Sequence, residues 1–334
     1  MTLVGSRNLP DRAQSGARTV ARVPAYLERV ESGSRGMANM IGGLASHIVR
    51  AAPRAFIAAT APAEASWASV EPVVNRRAPA SSGEEQRCLK LLSFNIQVGI
   101  RTRRYRQYIT HGWKHVLPHG ARAANLRRIA DLIAGYDVVA LQEVDAGSLR
   151  SGFVNQVEYL AYRGHFPYWY AQLNRDLGPI AQHGNGLLSR LAPVTLEDHK
   201  LPGRIPGRGA IVVRLKFGET SVLVVLLHLS LGEHSRRLQL SYVRDLIDGE
   251  EHVVVMGDMN SHLTPLLFGS PLADTPLVPG RDIAPTYPSW RPAIALDHVL
   301  VTPSLAVQSY RVLDCDLSDH RPVAVTIGRR EDLP

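Results

Sequence analysis

A β-branched run, Val253-Val254-Val255, leads into Gly257-Asp258-Met259-Asn260. Side chains alternate along extended backbone, so a carboxylate and a carboxamide two residues apart leave a strand on the same side. Such a pair can hold a metal ion or move a proton, although standing alone it more often makes a turn. Six further polar strand exits accompany it: Asn95 after Leu91 to Phe94, Gln142-Glu143 after Val138 to Leu141, and Asn185 ahead of Leu187-Leu188; then His228 after Val222 to Leu227, Asp297 ahead of His298 to Val301, and Asp319-His320 ahead of Pro322-Val323. Sheet edges of α/β domains collect ligand-binding groups, so seven such exits read as one shared site.

In this order, Asn95, Gln142-Glu143, Asn185, His228, Gly257-Asp258-Met259-Asn260, Asp297 and Ser318-Asp319-His320 resemble the endonuclease/exonuclease/phosphatase superfamily over residues 87–328. That superfamily includes pancreatic deoxyribonuclease, apurinic endonucleases, sphingomyelinases and inositol polyphosphate 5-phosphatases. His183-Gly184-Asn185-Gly186-Leu187-Leu188-Ser189-Arg190, His228-Leu229-Ser230-Leu231 and Thr286-Tyr287-Pro288-Ser289 look like a bacterial branch of metal-dependent hydrolases. Arg208-Gly209 matches a recurrent Arg-Gly in that branch, which makes Arg208 a candidate substrate contact. Apurinic endonucleases usually show Trp-Asn-x-Asn-Gly and Glu-Thr-Lys where this chain has Phe-Asn-Ile-Gln and Glu-Val-Asp, which weighs against abasic-site repair.

Cleaving a phosphate ester requires neutralised oxygens, an activated water and a supported leaving group. Hard oxygen ligands suit Mg²⁺ or Mn²⁺, and no Cys or His cluster has zinc spacing. Glu143, a lone carboxylate at the end of an apolar strand, is the leading metal ligand with Asn95 as its neutral companion; the resemblance implies the same role for both, with Asp319 contributing. His320 is the candidate general base, since histidine titrates nearest neutral pH, and Asp297 is its orienting carboxylate, as the resemblance also implies. Asp258 is expected to position or deprotonate the attacking water. Asn260 and Asn185 are expected to donate hydrogen bonds to phosphate oxygens. His228 is expected to stabilise the phosphate or protonate the leaving oxygen, against the plainer reading of a histidine bonded to backbone.

These residues need a scaffold. Short apolar strands alternate with helical patterns at Ala121 to Ala134, whose inner face carries Leu126, Ile129, Ala130 and Ile133, and at Glu233 to Asp248, with Leu238, Tyr242 and Leu246. That alternation predicts an α/β (α+β) fold. The resemblance implies a four-layer sandwich, two packed and mostly antiparallel sheets flanked by helices, with the site at one sheet edge.

The sequence of 334 residues divides into an Ala- and Arg-rich extension over 1–86, expected to be poorly ordered, a catalytic domain over 87–328, and a tail over 329–334. Within the extension, Ile41, Leu44, Ile48, Ala52 and Phe56 recur at helical spacing and predict a membrane-surface helix, against a disordered extension or a leader preceding a start at Met37 or Met40. With 45% hydrophobic residues the chain can fill a large core. No apolar run of about 18 residues predicts a membrane span. Cys88 and Cys315 are read as buried free thiols. The net charge of +8 comes from arginine, with only four lysines, and favours an anionic substrate without identifying nucleic acid. The basic, aromatic stretch from Ile100 to Gly120 can clamp a phosphate or stack on bases.

Three readings stay open. A metal-dependent phosphodiesterase acting on a phospholipid headgroup or another small phosphoester leads, followed by a DNA or RNA nuclease and a non-catalytic phosphate-binding protein. A cytoplasmic, membrane-peripheral location and no obligate protein partner go with the first.

Overall fold

A computed structural model describes residues 65–75, 78–81, 86–100, 120–178, 180–204, 206–280 and 283–330. Strands β1 (Ser66–Ser69), β2 (Val73–Val74) and β3 (Cys88–Asn95) precede helix α1 (Gly120–Ile133) and β4 (Val138–Asp145). Helix α2 (Gln156–Arg163) leads to β5 (Tyr168–Asp176), β6 (Gln182–Ser189), β7 (Pro193–Lys200), β8 (Gly209–Phe217) and β9 (Thr220–His228). Helix α3 (Glu233–Ile247), β10 (Val253–Asp258), helix α4 (Leu263–Phe268), β11 (Val278–Pro279), β12 (Asp297–Val301), β13 (Leu305–Val312) and β14 (Val323–Arg329) complete the order.

The strands form two seven-stranded sheets, β1-β7-β8-β9-β10-β12-β11 and β13-β14-β3-β4-β6-β5-β2. Neighbours pair antiparallel except for one parallel pair in each sheet, β9 with β10 and β3 with β4. A parallel pair needs a crossover, and α3 and α1 lie in the two crossovers. Two mixed sheets flanked by few helices are the expected sandwich.

Period-two patterning separates the layers. Val222, Val224 and Leu226 of β9 join Leu89, Leu91, Val138, Ala140, Val323 and Val325 in the core between the sheets. The intervening Leu223, Val225 and Leu227 pack outward with Leu240, Val243 and Ile247 of α3.

On α1 the four expected core residues, Leu126, Ile129, Ala130 and Ile133, are all buried. On α3 the expected Tyr242 and Leu246 are half-buried against the outer core, but Leu238 is 42% exposed and the buried residues are Gln239, Leu240, Val243 and Ile247. Gln239 sits on the inner face because its amide accepts from Ser230 N at 2.9 Å and donates to Ser230 Oγ at 2.9 Å, so a polar residue interrupts the apolar stripe.

The expected domain start at 87 falls inside the folded part, because β1 pairs with β7 and β2 with β5, one on each sheet. The membrane-surface helix, the candidate starts at Met37 and Met40, and the basic stretch 101–119 lie outside the described residues. Those described fall in one unit, Ile57–Pro334. Cys88 and Cys315 carry free thiols, half-buried rather than buried. Among the described residues, no helix is long and apolar enough to cross a membrane.

Candidate active site

The site lies where the C-terminal ends of the two parallel pairs come together. In register, Asn95 of β3 stands beside Gln142 of β4, and His228 of β9 beside Asp258 of β10. Asn95 ties the two sheets: its amide donates to Glu143 Oε1 at 3.2 Å and to Asp258 Oδ2 at 3.0 Å, while its Oδ1 accepts from Gln97 N at 3.1 Å. The expectation was a metal-ligating oxygen; here the amide nitrogen of Asn95 faces both carboxylates and its oxygen accepts from backbone.

Backbone irregularities aim several of these groups. The β4–β6 register shifts between Leu141 and Val144, and Glu143 takes a left-handed φ of 54° in that bulge. Bulges re-aim side chains that regular alternation would misdirect. Asn260 also has a left-handed φ, 48°, while its N–H donates to Asp258 Oδ1 at 3.0 Å and its amide to Leu229 O at 2.9 Å. It thereby fixes the exits of both β9 and β10. Gly257 is required where it stands, since a Cβ there would collide with the Leu227 carbonyl of the neighbouring strand.

Asp258, Asp297 and His320 bring ligand atoms within 4.8 Å of one another and are all buried. His320 Nδ1 lies 2.8 Å from Asp297 Oδ2, which also accepts from Thr286 Oγ1 at 2.6 Å. The Tyr287 ring lies 4.9 Å from the imidazole. On its other side His320 Nε2 is 3.8 Å from Asp258 Oδ2, and His228 Nε2 reaches that oxygen at 3.4 Å.

Electrostatics follow from this packing. Burial pushes the Asp258 carboxyl up to about 7, with nearby His320 opposing the rise and Asp297 adding to it. Burial also works against a charged His320, but Asp297 and Asp258 outweigh it and hold the imidazole well above its ordinary range. His228, buried and facing Arg208 and His320, is held well below that range and is neutral. Burial raises Glu143, and the charge of Asp319 raises it further. Two carboxylates pressed together in this way are a hard oxygen donor set that a divalent cation would relieve. The Asp258–Asp297–His320 group can also offer ligands to a metal, although Asp297 Oδ2 is already shared by His320 and Thr286.

The structure brings Asn95, Glu143, Asp258, Asp297, Asp319, His228 and His320 together. Arg208 joins them, with Glu143 and Asp258 supporting its charge against burial. Asn185 differs from expectation: it lies within β6, and its amide donates to Gln172 Oε1 and to Gly209 O, each at 3.0 Å. Its hydrogens are committed, so it anchors the Arg208-Gly209 corner. The sequence reading gave no role to Thr286 or to Gln172. Thr286 was visible only as part of a motif, and Gln172 had no signal, because its contact depends on pairing between β5 and β6.

Residues 92–320 match the model of the Endonuclease/Exonuclease/phosphatase family, more than half of the chain. The two-sheet sandwich with a polar cleft at one edge is the architecture of that class, and this chain belongs to the Endonuclease/Exonuclease/phosphatase family. Among solved structures it is similar to an endonuclease/exonuclease/phosphatase from Beutenbergia cavernae, at 22% identity over 73% of this chain and 72% of that one, TM-score 0.55. A mannosyl-6-phosphatase from Bacteroides thetaiotaomicron matches at 17% identity over 72% and 99% of the two chains, TM-score 0.54. D. rerio TDP2 complexed with single strand DNA product matches at 17% identity over 72% and 99%, TM-score 0.53. At these identities the likeness establishes the fold. No curated protein matches the sequence.

Proposed function

We propose that this protein is a divalent-metal-dependent phosphoesterase that hydrolyses a small phosphoester, most simply a phosphodiester. The observation that carries this reading is the bridge from Asn95 to Glu143 and Asp258, which joins an acidic cation-binding side to a proton-transfer side across the two sheets. Glu143 and Asp319 would hold Mg²⁺ or Mn²⁺, which when bound supplies charge neutralisation at a phosphate oxygen.

The chain's own groups supply the rest. Asp258 titrates near neutrality, so its carboxylate can take a proton from an attacking water placed between it and His320. His320 was expected to be the base. Held as imidazolium by Asp297, it instead stabilises charge growing on the phosphorus centre. Neutral His228 donates a hydrogen bond to phosphate or leaving oxygen rather than a full proton, and Arg208 neutralises a further oxygen. Asn95, Asn185 and Asn260 hold these groups in place.

The purified protein, with Mg²⁺ or Mn²⁺, should hydrolyse bis(nitrophenyl) phosphate; His320→Ala should lose about 10²–10³-fold in kcat while keeping its circular dichroism spectrum. Chelation should stop turnover and Mg²⁺ restore it. Near-normal turnover of the His320 variant, or turnover indifferent to chelator, sinks the reading. Parallel incubations with plasmid DNA, RNA and phospholipid vesicles separate a small phosphoester from polymer and lipid substrates.

A further inference from the structure

The cleft continues past the reacting groups into a basic recess. With a volume of about 1050 Å³, it is lined by Glu143 at the catalytic end and by Arg175, Arg204, Arg208, His183 and His234 beyond. Arg208 faces the carboxylates of Glu143 and Asp258, whereas Arg175 and Arg204 line the part of the recess that lies away from them. Arg175 is placed by strand pairing, opposite His183 across β5 and β6, with its stem against Gly207.

His183 is held from behind. Arg150 Nη1 lies 3.0 Å from His183 Nε2, and a guanidinium can only donate, so Nε2 accepts and the ring proton sits on Nδ1. That Nδ1–H has no partner among the described residues. Arg150 is in turn fixed by the buried carboxylate of Asp145 and by Gln182 O at 3.3 Å. The result is a neutral, orientation-locked donor beside two arginines. Among the described residues that line the recess none is Phe, Tyr or Trp.

We propose that Arg175, Arg204 and the His183 Nδ1–H form a second anion subsite, and that the substrate is a small molecule carrying another anionic group, phosphate or carboxylate, besides the ester phosphate. This rests on the phosphoesterase reading above. The test is calorimetric binding of butyl phosphate, butanediol bisphosphate and γ-phosphooxybutyrate to the full-length protein at fixed free Mg²⁺. At least one of the two doubly anionic probes should bind about tenfold or more tightly than butyl phosphate, an advantage that the Arg175→Ala/Arg204→Ala variant erases. Which of the two gains identifies the second group as phosphate or carboxylate. If the double variant does not fold, Arg204→Ala alone, which changes one exposed side chain, should cut the advantage about threefold. Equal affinity for all three probes, or an advantage that survives the substitutions, overturns the subsite. Hydrolysis of bis(nitrophenyl) phosphate by the same preparation reports separately on the phosphoesterase reading.

Discussion

Asp258 combines a buried position with contacts to Asn95 Nδ2 and the His228 ring, and its carboxyl titrates at about 7. A raised acid pKa means that the proton-accepting carboxylate appears as pH rises through that value, while His320, held well above its ordinary range, stays charged. The expected kcat/KM therefore climbs with pH through about 7. Asp258→Asn should flatten that limb and lower the plateau at least about 10²-fold, and an unchanged profile in the variant would remove Asp258 from proton transfer. Asp145 shows the opposite shift. Burial opposes its ionisation, but the Ser148 N–H and hydroxyl and the Arg150 guanidinium overcome that and bring it down to about 2. A depressed acid pKa contributes stability that is present above the unfolded value of about 4 and lost as pH falls through the folded one. Asp145→Ala leaves the Arg150 side chain, 3% exposed, without its carboxylate, and urea unfolding should register a loss of about 3–5 kcal/mol at neutral pH.

The paired elements decide where the chemistry sits. The two βαβ crossovers deliver the ends of β3, β4, β9 and β10 to neighbouring places, and the motif glycine lets β10 approach β9 closely enough to do so. Gly257→Ala should cost about 2 kcal/mol or more in thermal or urea unfolding, because the added methyl meets backbone rather than a movable side chain. Wild-type stability in that variant would show that the strands can part without penalty. At this level the sequence was partly readable. The apolar runs and α1 could be placed from periodicity, whereas the burial of Gln239 on α3 could not, since it rests on hydrogen bonds that no periodicity encodes. The bulge that turns Glu143 was likewise hidden, because it exists only in the pairing of β4 with β6.

Across the whole molecule, residues 66–74 add a strand to each sheet and shield the edges of β7 and β5. Both added strands are solvent-exposed, so their loss removes backbone pairing but little apolar burial. A chain beginning at Arg87 is therefore expected to fold with a nearly unchanged melting temperature but to self-associate with concentration in light scattering, because uncovered strand edges are templates for pairing. A strictly monomeric truncated chain would show that the added strands do not guard the edges. The sequence alone specified the family, the two-sheet class and most of the polar groups of the site, because those depend on residue identity and local period. It also carried Arg208. Folding decided what those groups touch: Asn95 lies between Glu143 and Asp258, Asn185 against Gln172 and Gly209, His320 against Asp297, and Arg150, His183 and Arg175 are neighbours. Hydrogen-bond partners, burial and the resulting pKa values depend on segments brought together from distant parts of the chain, and no local pattern contains that information.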